Sequence, residues 1–129
     1  MHTSSLPKRI VKLIRQTGAA MVCVYCEEQL NDKNVSRDHL IPQCRGGNRI
    51  KQKLNVVLAC RKCNSIKGNL VSVRELAHVR AHYGFQRKKY AERRRMILER
   101  AEQLIHERGL DVYITPIYTP TGQLSLSLA

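Results

Sequence analysis

Two Cys-x-x-Cys pairs constrain the fold of this chain more than any other feature. The pairs are Cys23 with Cys26 and Cys60 with Cys63. Each pair can present two thiolates to one metal ion, and two pairs make a tetrahedral four-thiolate site that suits Zn²⁺ and leaves no open position. One zinc ion would tie residue 23 to residue 63 and close the segment between them into a loop. The alternatives are four metal-free cysteines or a redox pair, although redox motifs of this type usually occur singly.

A structural metal matters here because the chain is short. Its 129 residues leave room for one domain, and with 43% hydrophobic residues, one Phe and no Trp, the apolar core must be modest. Lys and Arg number 23 against 10 Asp and Glu, a formal net charge of +13. Such a field attracts a polyanion, so we expect nucleic acid as the partner. The alternative is a basic protein with no specific partner.

The cysteines and the hydropathy pattern predict a compartment. Paired cysteines with metal-site spacing favour a reducing compartment over disulfides. Residues 1–21 lack the uninterrupted apolar stretch of a signal peptide, and no run approaches the roughly 18 apolar residues of a membrane span. We therefore expect a cytoplasmic protein with no membrane partner. Cys44 lies outside both pairs, and we interpret it as a free loop thiol, neither ligand nor nucleophile.

Four segments are predicted along the chain: an N-terminal basic helix in 1–19, a zinc-stapled core in 20–70, a helical extension in 71–109 and a tail in 110–129. In the core we predict strands over 35–41 and 55–59, a basic loop over 42–53 and a short helix over 63–68. The first helix is expected over 5–17, with Ser5 as its cap and Gly18 at its end.

The helical extension and the tail carry their own signals. Ser72 and Glu75 form a capping box, which predicts a helix from Ser72 to about Gly84. A longer helix is expected over 86–108, ended by Gly109. Its apolar stripe would comprise Tyr90, Ile97, Ala101, Leu104 and Ile105. In the tail, alternation that begins at Val112 and Ile114, with a turn at 120–122, predicts a C-terminal β-hairpin.

Three polar residues of the core are suited to phosphodiester hydrolysis. Asp38 and Asn64 offer oxygen ligands for Mg²⁺ or Mn²⁺, and two protein ligands leave room for phosphate oxygens and water. His39 has an ordinary pKa of about 6.5, so it is mostly neutral at physiological pH and able to act as a general base. Adjacent residues of a regular strand point to opposite faces, so Asp38 and His39 converge only if the strand bends there. The alternative is a structural pair that braces the cysteines.

These motifs together resemble the zinc-containing branch of the HNH endonuclease family. The resemblance covers about residues 20–70 and rests on Cys23-Val-Tyr-Cys26, Arg37-Asp38-His39-Leu-Ile-Pro42, Arg45-Gly-Gly47, Asn55-Val-Val-Leu-Ala-Cys60, Arg-Lys-Cys63-Asn64 and Ile66-Lys67-Gly68. It implies an α+β fold: a ββα-metal HNH core stapled by a four-cysteine zinc site, flanked by basic helices and the C-terminal hairpin. The third family position is often His, and Asn64 keeps an oxygen donor there.

The resemblance also implies roles and a reaction. Asp38 and Asn64 would hold the catalytic cation, His39 would be the general base, and Asn55 would brace the loop that faces the histidine. The expected activity is cleavage of DNA, leaving 5′-phosphate and 3′-hydroxyl ends. Arg37, Arg45 and Lys67 are candidate contacts to DNA phosphates, or else ordinary solvated charges.

Two other functions and the oligomeric state stay open at this level. One alternative is a nuclease of the same fold that selects branched DNA, and the other is a non-catalytic zinc module that only binds nucleic acid. The sequence does not distinguish nicking from double-strand cleavage. Double-strand cleavage would favour a homodimer, with the helix predicted over 86–108 as a candidate interface.

Overall fold

The computed structural model describes residues 6–77 and 88–115. The helices and strands, in chain order, are α1 (Lys8–Thr17), β1 (Val35–His39), α2 (Gln52–Asn55, a single turn), β2 (Val56–Cys60), α3 (Arg61–Lys67) and α4 (Ala91–Glu107). This mixed α+β architecture confirms the predicted fold class. Within the described residues, no helix is both long enough and apolar enough to span a membrane.

A two-stranded antiparallel sheet and the helix that follows it form the centre of the molecule. Strand β1 pairs with β2 in the register Val35 opposite Cys60 and His39 opposite Val56. All five residues of β2 are buried, as expected for a strand rich in Val and Leu with cover on both faces. Helix α3 begins directly after Cys60 and packs against both strands. The result is the ββα unit that the sequence predicts.

Helix α1 covers one side of this unit. Ile10 and Leu13 are buried, and the helix ends at Gly18, whose φ of 70° lets its N–H bond to the carbonyl of Ile14. The helix predicted over 5–17 is confirmed from Lys8 onward, and its predicted cap, Ser5, lies outside the described residues.

Helix α4 supplies much of the remaining core. Ile97, Ala101, Leu104 and Ile105 are all buried, which confirms the predicted apolar stripe, with Tyr90 partly buried just before the helix. The helix predicted from Ser72 begins instead as a 3-10 turn over Val73–Ala77, and residues 78–87 lie outside the described part of the chain.

The predicted tail hairpin does not start where the sequence pattern places it. Asp111–Tyr113 form a 3-10 turn, held by the bonds Tyr113 N–H to Leu110 O (3.0 Å) and Ile114 N–H to Asp111 O (3.2 Å). Val112 is 83% exposed, so its place in the alternation does not reflect burial. Residues 116–129, over which the rest of the hairpin is predicted, lie outside the described residues.

The predicted basic loop is compact because two glycines let backbone segments approach closely. A Cβ on Gly46, whose φ is 103°, would lie 2.0 Å from the carbonyl oxygen of Tyr113. A Cβ on Gly47 would lie 1.9 Å from the carbonyl oxygen of Ile41. Both contacts are with backbone atoms, which cannot move aside easily, so larger residues are excluded at these two positions.

Candidate functional site

The two cysteine pairs converge on one point. Cys23 and Cys26 come from the loop before β1, Cys60 ends β2, and Cys63 lies in the first turn of α3. The four Sγ atoms lie within 4.8 Å of one another, and Cys26 Sγ and Cys60 Sγ are 3.9 Å apart. Thiolates around one tetrahedral zinc ion are about 3.8 Å apart, given Zn–S bonds of about 2.3 Å. These four residues, called the cysteine cluster below, are therefore close enough to bind one metal ion such as zinc.

The thiols of the cysteine cluster have pKa shifts in different directions and share one cationic neighbour. A hydrogen bond from Cys63 lowers the pKa of the Cys23 thiol to about 4, whereas burial raises the pKa of Cys26 and the hydrogen bond with Cys23 raises that of Cys63. The Arg93 guanidinium of α4 donates to Cys63 Sγ at 3.2 Å and to Cys60 Sγ at 3.6 Å. Arg93 attaches α4 to the cluster, and its charge would offset part of the net negative charge of a four-thiolate metal site.

The three residues predicted to carry the chemistry line one cavity. Asp38, His39 and Asn64 all contribute to the wall of an open cavity of about 390 Å³, between the end of β1 and helix α3. The register places Asp38 opposite Val57 in the sheet, and strand β1 ends at His39. The two neighbours therefore meet at the same cavity, and this resolves the question that strand geometry left open.

Asp38 is buried and has a donor at each carboxylate oxygen. The hydroxyl of Tyr25 donates to Oδ2, and the ammonium of Lys67 lies 3.4 Å from Oδ1. Burial raises the pKa of Asp38, and the positive charge of Lys67 opposes that rise. Each carboxylate oxygen has two lone-pair directions, so the group retains the capacity to bind a cation as well.

The hydrogen bonds of Asn64 and the pKa of His39 are compatible with the roles predicted for these residues. The amide nitrogen of Asn64 donates to Ser36 Oγ (3.0 Å) and to the carbonyl of Arg37 (3.1 Å). Its oxygen has no hydrogen-bond partner among the described residues and is available as a ligand. Burial, and then the charge of Arg37, lower the pKa of His39 below 6.5, so its half-buried imidazole is neutral at neutral pH.

Asn55 fixes the backbone that follows His39. Its buried side chain accepts the N–H of Ile41 and donates to the carbonyl of the same residue, both at 2.9 Å. Its main-chain carbonyl accepts the N–H of Leu40 at 2.8 Å. The residue thus holds the segment after the histidine through three hydrogen bonds.

The three candidate phosphate contacts lie in different environments. Arg37 lines the cavity, and its guanidinium donates to Gln52 Oε1 at 3.0 Å. Arg45 is buried, forms an ion pair with Glu75 at 2.5 Å, and donates to the carbonyls of Asn69 and Thr115. Lys67 is buried with its ammonium on Asp38 and, at 3.0 Å, on the carbonyl of His39. Of the three, only Arg37 is placed to meet a phosphate in this conformation.

Sequence reasoning missed three residues of the site and its supports. Tyr25 gave no signal beyond its place between two cysteines, and Arg93 was one of many helical cations. Glu75 was expected in a capping box; its carboxylate does accept the N–H of Ser72 and of Val71, but it also pairs with Arg45. Cys44 is an exposed free thiol on the wall of the cavity, in agreement with its interpretation as a loop thiol.

The cysteine cluster and the three cavity residues lie within a match to a known protein family. Residues 23–78 match the HNH endonuclease family. The match starts at the first cysteine and includes both cysteine pairs, Asp38, His39, Asn55 and Asn64, so it confirms the resemblance and is called the HNH segment below. No curated protein and no solved structure matches the chain. The HNH segment indicates a role as a nuclease or nucleic-acid-binding protein, while α1 and α4 lie outside it.

Proposed function

We propose that this protein is a metal-dependent HNH endonuclease that hydrolyses phosphodiester bonds in DNA. The observation that carries the proposal is the shared cavity of Asp38, His39 and Asn64. A carboxylate, an amide oxygen and a neutral imidazole are the groups that such a reaction needs, and the three residues that carry them line the same opening. A non-catalytic zinc module would not need to bring them together.

Each residue of the candidate site has a separate role in the proposed reaction. Asp38 and Asn64 hold the divalent cation, Mg²⁺ or Mn²⁺, which when bound neutralises charge on the scissile phosphate. His39 accepts the proton of the attacking water, because burial keeps its imidazole neutral. Asn55 acts indirectly by fixing the backbone after His39. Arg37, on the same wall, contacts a phosphate oxygen of the substrate.

Cleavage of supercoiled plasmid tests the proposal. Wild-type protein should nick or linearise the plasmid when Mg²⁺ or Mn²⁺ is present and leave it intact in EDTA. His39→Ala should keep its fold and cut more slowly, by a factor on the order of 10²–10⁴, because the general base is lost.

A matched control is His106→Ala, which removes an exposed histidine of α4 that pairs with Asp111 and does not line the cavity. This variant should cut like the wild type. If His39→Ala cuts within a few-fold of His106→Ala, the proposed base is wrong. If the wild type binds DNA and never cuts it, the protein is a binding module.

We also propose that the cysteine cluster holds one structural zinc ion. Elemental analysis of purified protein should find about one equivalent of zinc per chain. Cys60→Ser should lose the metal and unfold much of the domain, because Cys60 joins β2 to α3 at the cluster. Cys44→Ser is the control, since that thiol is exposed and lies outside the cluster. Equal melting temperatures for the two variants would contradict the zinc assignment.

A further inference from the structure

One side chain connects the cysteine cluster to the candidate catalytic carboxylate. Tyr25 lies between Cys23 and Cys26 in the chain, is only 5% exposed, and donates its hydroxyl hydrogen to Asp38 Oδ2. A buried tyrosine hydroxyl needs a hydrogen-bond partner, and here the partner is the carboxylate. The two sites, one of sulfur and one of oxygen, are thus joined through a single hydroxyl group.

The backbone around Tyr25 is held on both sides. The N–H of Val24 donates to the carbonyl of Leu58 in β2 at 3.0 Å, and the N–H of Glu27 donates to the carbonyl of Cys23 at 3.0 Å. Glu27 has a φ of 65°, so the chain turns sharply after the second cysteine. The position of the tyrosine ring is therefore set by the sheet and by the turn that presents the thiols.

Lys67 completes the arrangement from helix α3. Its ammonium lies 3.4 Å from Asp38 Oδ1 and donates to the carbonyl of His39 at 3.0 Å. Tyr25 and Lys67 each engage one oxygen of the carboxylate, and two donors on two oxygens fix the rotation of its plane. A carboxylate held in this way presents its remaining lone pairs in one direction.

We propose that Tyr25 is a positioning residue that orients Asp38 for its divalent cation and thereby couples the oxygen site to the cysteine cluster. The inference rests on the proposed function in one respect, the role of Asp38 as a cation ligand. Loss of the tyrosine hydroxyl leaves the carboxylate of Asp38 held by Lys67 alone and leaves one of its oxygens without a donor. Partners of metal-binding groups typically contribute a factor of about 10–100 to metal affinity.

Mn²⁺ binding to the zinc-loaded protein, measured by electron paramagnetic resonance in the absence of DNA, tests whether Tyr25 positions Asp38. Tyr25→Phe should keep one zinc and bind Mn²⁺ about 10- to 100-fold more weakly than the wild type. Tyr113→Phe is the matched control, because it also removes one hydroxyl, and that tyrosine packs against Arg49 outside the cavity. The control should bind Mn²⁺ like the wild type.

A double-mutant cycle then asks whether Tyr25 acts through Asp38. If it does, Tyr25→Phe should change Mn²⁺ binding less than about two-fold in an Asp38→Asn background, since the effects of coupled residues do not add. An undiminished effect in that background overturns the proposal, as does wild-type Mn²⁺ affinity in Tyr25→Phe. Loss of zinc from Tyr25→Phe, or the absence of Mn²⁺ binding that depends on Asp38, overturns it as well. A protein that binds Mn²⁺ through Asp38 but cuts no DNA contradicts only the proposed function.

Discussion

Two groups of cations, one buried in the HNH segment and the other on helix α1, have opposite surroundings. In the HNH segment, Arg45 and Lys67 are buried, and each contacts a buried carboxylate. On α1, outside that segment, all four cations are exposed and have no ion-pair partner among the described residues: Lys8, Arg9, Lys12 and Arg15. Burying a charge is costly unless it is paired, whereas exposed charges are free to meet a polyanion. The two buried cations thus support the site, whereas the four cations of α1 are available to a polyanion.

Arg37 lies where the two groups meet. It is half-buried on the cavity wall, and its pKa is lowered by burial and then by the charge of Arg9. Arg37 and Arg9 repel each other, and neither has an acidic partner among the described residues. An anion that binds there reduces this repulsion. We therefore expect the nucleic-acid backbone to extend from the cavity toward α1.

Of the changes to cations, breaking the buried pair of Arg45 should have the largest effect on stability. Arg45→Ala leaves Glu75 buried and uncompensated, and we expect a loss of about 3–5 kcal/mol in the free energy of unfolding, measured in urea. Lys51→Ala removes an exposed cation of the same loop and should change that value by less than about 0.5 kcal/mol. If Arg45→Ala is as stable as Lys51→Ala and binds DNA less tightly, Arg45 is a phosphate contact after all.

Replacing Lys67 should have an intermediate effect on the free energy of unfolding. Lys67→Met keeps much of the buried stem but removes the ammonium from Asp38 and from the carbonyl of His39. We expect a loss of about 1.5–3 kcal/mol in unfolding free energy, typical of hydrogen bonds to charged groups. The dependence of DNA binding on salt, measured by fluorescence anisotropy, should stay that of the wild type. A shallower salt dependence would mean that Lys67 reaches a phosphate.

Removing three of the four positive charges of α1 should hardly change stability but should weaken the salt dependence of DNA binding. The triple variant with Lys8, Lys12 and Arg15 each changed to Gln should keep its unfolding free energy within about 0.5 kcal/mol. If each cation contacts a phosphate, the slope of log affinity against log salt should fall in magnitude by about 2.7, about 0.9 per contact.

The control for that variant removes the same charge elsewhere. Changing Lys33, Arg61 and Arg95 to Gln neutralises three exposed cations, none of which lines the cavity. A salt slope that falls equally in both triple variants would show that net charge alone attracts DNA, with no preferred surface on α1.

The features that were predictable from the sequence are those that local spacing determines. The Cys-x-x-Cys spacing predicted the cysteine cluster, and the Val-rich and Leu-rich runs predicted the bounds of both strands to within two residues. Leu40 still bonds to the main-chain carbonyl of Asn55 in the register of the sheet, but the N–H of Ile41 bonds to the Asn55 side chain, so strand β1 ends two residues early. Alternation at Val112 and Ile114 was too short a pattern to outweigh local turn hydrogen bonds.

Partners that lie far apart in the chain were beyond sequence reasoning. Three pairs of side chains meet only because the tertiary fold brings distant segments together: Arg45 with Glu75, Tyr25 with Asp38, and Arg93 with Cys63. Nothing in the local sequence of Arg45 or Lys67 separates a buried cation from a solvated one. Their burial depends on the acidic partner, which spacing does not reveal.

The side chain of Asn55 acts as a surrogate peptide group. It offers Ile41 one acceptor and one donor, as a neighbouring strand would, and thereby adds one rung to the sheet beyond the end of β1. Gly47 has no Cβ to occupy the space where Asn55 Nδ2 and Ile41 O meet. An aspartate of the same shape has no donor for the Ile41 carbonyl, and a leucine has neither group. Deamidation of this single residue would therefore remove the donor to the Ile41 carbonyl, so the chemical ageing of one amide would loosen the backbone on which His39 depends.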